Sequence, residues 1–250
     1  PTNLLDHQMR TATDKWRAVA RPNIDTLFSA AWVDLSAGPV MLTLPPAGDR
    51  YHMFQLLDFW TDTFAVPGSR ANGQAGVRVK VVGPKWNGPE HHDGEDHLLM
   101  CPTPTMWVLG RTAVGSGHDI EAAREFVKAC ALVPLEAVGF GDEPHDIPSD
   151  LVNTSPVAWV ESLSAAQYFS IADRVVRREG LHGSDGSVSM RLADLGIGTR
   201  TPFVFDEQPE SVRIALTAAI TEGQRTVARA SGLQSTAVNG WSYSTSDIGT

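Results

Sequence analysis

Four short segments concentrate side chains able to hold or act on an anion. In Arg21-Pro22-Asn23-Ile24-Asp25-Thr26, Pro22 sets φ, and Asn23 and Asp25 can bond backbone amides as Asx-turns. Arg21 and Asp25 can also pair, so this is a corner whose polar groups could equally hold an anionic substrate at a strand entrance. Residues 50–60, RYHMFQLLDFW, sort by alternation into two faces. Arg50, His52, Phe54, Leu56, Asp58 and Trp60 share one, and Tyr51, Met53, Gln55, Leu57 and Phe59 the other. Both carry large apolar groups, which predicts a central strand covered on both sides. Six residues at about 3.3 Å each put His52 and Asp58 roughly 20 Å apart, too far for a direct acid/base pair. Asp58, near the strand end, can be a base, an anchor for an arginine or the cap of a turn. Gly68-Ser69-Arg70 and Gly110-Arg111-Thr112 add two more arginines beside glycines. Converging guanidinium groups suit a carboxylate or phosphate ligand, although internal ion pairs leave the same trace.

A fifth cluster, His91, His92, Asp93, Glu95, Asp96 and His97, carries ligand types for a divalent metal. Its order matches no metal-site spacing, and Pro89 and Gly94 mark a turn, so it reads as a solvated hairpin loop and no metal is assigned. Signatures of serine hydrolases, zinc peptidases, P-loop proteins, dinucleotide enzymes and calcium loops are missing, and no cofactor is implied. Cys101 and Cys130 form neither a disulfide framework nor a CxxC pair.

The elements that must position these groups fall into two regimes. In 250 residues, 42% are apolar and 20% charged, an ordinary globular mixture able to bury a real core. The net charge of −9 argues against nucleic-acid or acidic-membrane partners. No run reaches the roughly 18 apolar residues of a membrane helix. Residues 1–150 hold most prolines and five of the seven tryptophans. Apolar or alternating stretches recur there at 26–35, 40–44, 50–60, 77–82 and 105–112, separated by Gly/Pro breakers, as in a sandwich or barrel. Asp119 can cap a helix whose stripe is Ile120, Ala123, Phe126, Val127 and Cys130. Residues 151–250 read as helical. Ser164-Ala-Ala-Gln167 is a capping box opening a helix that ends at Gly180. A shorter helix stops at Gly196, and a third runs from Pro209 to Gly232. These helices are too few and amphipathic to make a core alone, so they are expected to pack on the β part or on something outside this sequence.

The ordered set Arg21-Pro-Asn23-x-Asp25-Thr-Leu-Phe-Ser29, Trp32-x-Asp34-Leu35, Leu44-Pro45, Arg50-Tyr51, Gln55-x-x-Asp58, Gly68-x-Arg70, Gly83-Pro-x-Trp86 and Gly110-Arg-Thr112 resembles the bacterial domain of unknown function 1254. The helical stretch, Leu195-Gly-Ile-Gly198 and Val238-Asn-Gly-Trp241 resemble that family's usual continuation toward a second β domain, the domain of unknown function 1214. Pro1 in place of Met and the stop at Thr250 suggest a piece of a longer protein or a naturally short version. The resemblance implies β-sandwich, jelly-roll-like domains joined by helices, and, because many relatives carry export signals, a periplasmic or secreted address; it implies no settled reaction. Phe28 and His52 stand where relatives often have Tyr, which removes a phenol and weakens His52 as a catalyst.

The expected fold is therefore α+β: an antiparallel β-sandwich, jelly-roll-like, over 1–150, followed by a small helical segment over 151–250. Two functional readings stand open. In one, a small-molecule-binding or hydrolytic domain has an aromatic pocket in which Arg21, Arg70 and Arg111 orient an anionic or carbonyl-containing ligand. Asn23, Tyr51 and Gln55 contribute contacts there, and Asp25 or Asp58 acts as base or orienting acid. In the other, the same residues brace corners of a structural module that assembles with copies of itself.

Overall fold

In the computed structural model, residues 3–13, 23–88, 94–115, 119–135, 155–230, 235–239 and 241–244 are described. The chain forms two compact units, Pro1–Gly141 and Asp142–Thr250.

The strands of the first unit are β1 (Asp6–Gln8), β2 (Thr26–Asp34), β3 (Val40–Leu44), β4 (His52–Asp58), β5 (Thr63–Ala65), β6 (Val77–Val82), β7 (His97–Met100), β8 (Thr105–Ala113) and β9 (Ala131–Pro134). They make a five-stranded sheet, β1-β2-β8-β4-β5, and a four-stranded sheet, β7-β6-β3-β9. All neighbours are antiparallel except β6 and β7. The longest ladder joins β2 to β8, from Thr26 opposite Ala113 to Asp34 opposite Thr105. Both strands alternate buried and outward residues with period two, the pattern of a sheet with one face in a core.

That core is shared. Leu27, Val33, Phe54, Leu56 and Val108 enter it from the first sheet, and Leu42, Leu44, Val79 and Val81 from the second. Helix α2 (Ile120–Ala129) adds Ala123, Phe126 and Val127. A one-turn helix, α1 (Ser69–Asn72), lies between β5 and β6 in sequence. The molecule is thus an α+β protein with two mostly antiparallel sheets. Short edge pieces such as β1, β5, β7 and β9 carry too few residues for a periodic signal and are absent from the sequence reading.

The second unit contains α3 (Pro156–Ser162), α4 (Ala165–Glu179), α5 (Gly186–Asp194), α6 (Glu210–Ala230) and a hairpin of β10 (Ser235–Val238) and β11 (Trp241–Ser244). The capping box at α4 is present in both directions: Gln167 N–H donates to Ser164 Oγ, and Ser164 N–H to Gln167 Oε1. Gly180 ends that helix with φ 76°, a conformation glycine adopts without cost. Contrary to expectation, the unit has a small core of its own, in which Ile197, Phe203 and Leu216 are buried. It is organised by Asp173, which is 2% exposed. This carboxylate accepts from the Gly198 N–H at 2.8 Å and the Phe203 N–H at 3.0 Å, pinning the loop after α5 to α4. Among the described residues no helix is long and apolar enough to cross a membrane.

Candidate functional site

Strand parity decides which candidate side chains can meet. On β4, His52, Phe54, Leu56 and Asp58 are buried, while Met53 and Gln55 are half-buried and Tyr51, just before the strand, is exposed. The strand is therefore not covered equally on both sides: its second face is the outer face of the five-stranded sheet. A bulge between Leu56 and Leu57 breaks the alternation, so Leu57 is buried as well. On β8, Gly110 and Thr112 are buried and Arg111 between them is exposed. Arg111 lies opposite Met53 on one side and Phe28 on the other.

Arg70 reaches the same face by a close backbone approach. A Cβ on Gly68 would lie 2.5 Å from the His52 carbonyl oxygen and 2.8 Å from Met53 Cα, and φ there is +149°. Only glycine lets the chain press onto β4 in this way. The contact places the Arg70 guanidinium 5.7 Å from the centre of the Tyr51 ring, within cation–π range. Ser69 beside it is consumed as a brace. Its hydroxyl accepts from the His52 N–H at 2.9 Å and also contacts His52 Nδ1 at 2.9 Å and the Arg50 carbonyl at 3.3 Å. The His52 ring packs against Phe126 with centroids 4.9 Å apart, and burial lowers its pKa, partly offset by the Arg50 carbonyl.

Tyr51, Gln55, Arg70 and Arg111 are thus gathered around one sheet face. Gln55 Nε2 donates to Thr63 Oγ1 at 2.6 Å. The face is strongly aromatic: Trp32 and Trp107 sit opposite each other in register, with parallel rings 5.3 Å apart, and Trp32 is 48% exposed. Arg111 makes no ion pair or hydrogen bond with any described residue.

The two candidate carboxylates are not brought together. Asp58 is 1% exposed and turned inward. Its Oδ1 accepts from the N–H groups of Trp60 at 2.9 Å and Asp62 at 3.0 Å, fastening the turn in which Thr61 has φ 72°. Asp25 is exposed, and its N–H donates to Asn23 Oδ1 at 3.0 Å, the Asx-turn read from sequence. Asp58 lies opposite Met106, whereas Asp25 precedes the residue opposite Ala113. Eight residues of strand, roughly 25 Å, separate the two ends. Arg21 lies outside the described residues, as do His91, His92 and Asp93.

The rest of the His-rich loop is not wholly solvated, which corrects the sequence reading. The Glu95 side chain is 1% exposed and faces the fully buried Lys80 ammonium at 3.9 Å, while Lys80 lies 5.0 Å from the Trp86 ring centre. Asp96 accepts from the Arg78 N–H at 2.7 Å, and His97 Nε2 contacts Asn72 Nδ2 at 3.1 Å. Each is engaged separately. Asp119 departs from expectation too, because its side chain does not cap α2. It takes the Arg50 guanidinium through two contacts of 2.6 Å and the Gly115 N–H at 2.6 Å. Arg50 and Gly115 hold its carboxyl down at about 2.

Fold and face together define a two-sheet α+β domain with an open, aromatic, cationic sheet surface. The family model described as "Protein of unknown function (DUF1254)" matches residues 2–134, and the chain belongs to that family. Among solved structures, the crystal structure of the VPA0106 protein from Vibrio parahaemolyticus is similar, with 17% identity and a TM-score of 0.66. The similarity covers 94% of this chain and 53% of that one, so the chain spans about half the length of this neighbour. No curated protein matches.

Proposed function

We propose that the first unit is a binding domain for a small anionic molecule, held on the outer face of the five-stranded sheet. The observation that carries this reading is Arg111: an exposed cation on an aromatic surface, with no ion-pair or hydrogen-bond partner among the described residues, in a chain of net charge −9. Arg70 stands over Tyr51 at the same end of the sheet. Arginine holds a carboxylate through paired N–H donors, and flanking aromatics exclude water from the contact. Binding is favoured over hydrolysis because the two candidate carboxylates lie at opposite ends of the sheet, and Asp58 already serves a turn.

Titration calorimetry with benzoate and short alkyl carboxylates tests the reading. Loss of one charge-assisted contact in Arg111→Ala should weaken binding by about 1.5–3 kcal/mol, or roughly 10- to 100-fold. Failure of every such anion to bind would sink it. The exposed Trp32 ring supports a second reading, self-assembly through this face. Sedimentation across a wide concentration range distinguishes the two, because assembly would respond to Trp32→Ser and not to added carboxylate.

A further inference from the structure

We infer that the anion is the head group of an unbranched acyl chain, a free medium-chain carboxylate whose tail runs along β8 toward the tryptophan pair. This rests on the anion-binding reading above and extends it to a ligand class. The cationic and apolar parts of the face are arranged end to end. Outward residues of β8 after Arg111 are Leu109 and then Trp107. Opposite them on β2 stand Phe28, Ala30 and Trp32. Ala30, with no side chain beyond Cβ, separates the two large rings and leaves the middle of the row low. None of these outward apolar groups joins the inner core of the sandwich.

Three acidic residues flank the row: Asp25, exposed, immediately precedes β2 at the Arg111 end. Asp6 lies on the edge strand β1, opposite Ala30. Asp34 lies at the far end of β2, where its carboxylate accepts from Ser36. A ligand anion at that end meets Arg111 and Arg70, and the β8 and β2 side chains beyond them are apolar, with Gln55 of β4 opposite Leu109. Four residues of β8 separate Arg111 from Trp107, about 13 Å, which matches an extended chain of about ten carbons.

Geometry sets the expected response. A methylene fully removed from water raises affinity about fourfold, and one lying on an open sheet face, half covered, about twofold. Saturated carboxylates of four to fourteen carbons, each below its micelle concentration, are titrated into the purified chain and followed by indole fluorescence and calorimetry. Affinity should rise about twofold per methylene up to about ten carbons and then level off. Trp32→Ser, at an exposed position that folding tolerates, should remove the gain beyond about eight carbons and leave butanoate unaffected. Arg111→Ala should bind decanoate no better than decanol.

Length-independent binding that still requires Arg111 would overturn the acyl inference and leave the anion reading intact. Absence of binding for every carboxylate overturns both. Binding seen only with anionic phospholipid vesicles, and not with monomeric carboxylate, overturns the free-ligand assignment in favour of a membrane surface.

Discussion

Gly110→Ala is the sharpest probe of how the sheet presents Arg111. Gly110 faces the core between two outward positions, and a Cβ there would lie 2.6 Å from Phe54 Cε1, 2.9 Å from Phe54 Cδ1 and 2.9 Å from Ser29 Cβ. Phe54 and Ser29 are both 0% exposed. The ring must therefore move by several tenths of an ångström in a core packed like an organic crystal, where overpacking costs about 1–3 kcal/mol. The alanine recovers about 0.5–1 kcal/mol by restricting the unfolded chain. The net expectation is a loss of about 1–2 kcal/mol in urea unfolding, at unchanged m-value. Phe54→Leu removes the ring and costs on its own, but the alanine should then cost less, a favourable coupling of about 1 kcal/mol in the double variant. Equal or greater stability of Gly110→Ala, or strict additivity with Phe54→Leu, would refute the argument that glycine is present to admit the Phe54 ring.

Three further outcomes follow from other contacts. Asp173→Ala strands the Gly198 and Phe203 N–H groups and should destabilise the second unit by about 2–3 kcal/mol, measured by thermal unfolding. Burial lowers the pKa of His52, and of His7 against the attraction of Asp6, so the unfolded chain takes up these protons first. Stability should be intact above about pH 6.5 and fall as the pH drops below it, with a flatter profile in a His7→Asn/His52→Leu variant. Asp119 acts in the same direction at lower pH: its carboxyl is held at about 2, so its contribution is present above about pH 4 and is lost between about 4 and about 2. Asp119→Asn should remove that acid-limb loss in pH-dependent melts, and an unchanged limb would show that the Arg50 pair contributes nothing.

Sequence alone determined whatever is decided within a few residues. The bounds of β3 and β6, the α4 capping box, its Gly180 stop and the Asn23–Asp25 turn were all legible. Each depends on side-chain period or on hydrogen bonds spanning two to four positions. That Tyr51 and Gln55 share a face follows from the same period of two, but that this face is open was not legible, because residues 50–60 read as covered on both sides. Tertiary structure decided which of those groups meet. Gly68 seats Arg70 beside Tyr51, the register of three strands puts Asp25 and Asp58 at opposite ends of a sheet, and Arg50 finds Asp119 across 69 positions of chain. The Glu95 side chain, polar and in a turn-rich segment, is enclosed beside the buried Lys80 ammonium, a pairing between distant parts of the chain. The physical reason is that local rules act through the backbone a residue shares with its neighbours. A pairing across a sheet instead depends on register, which the whole core sets at once.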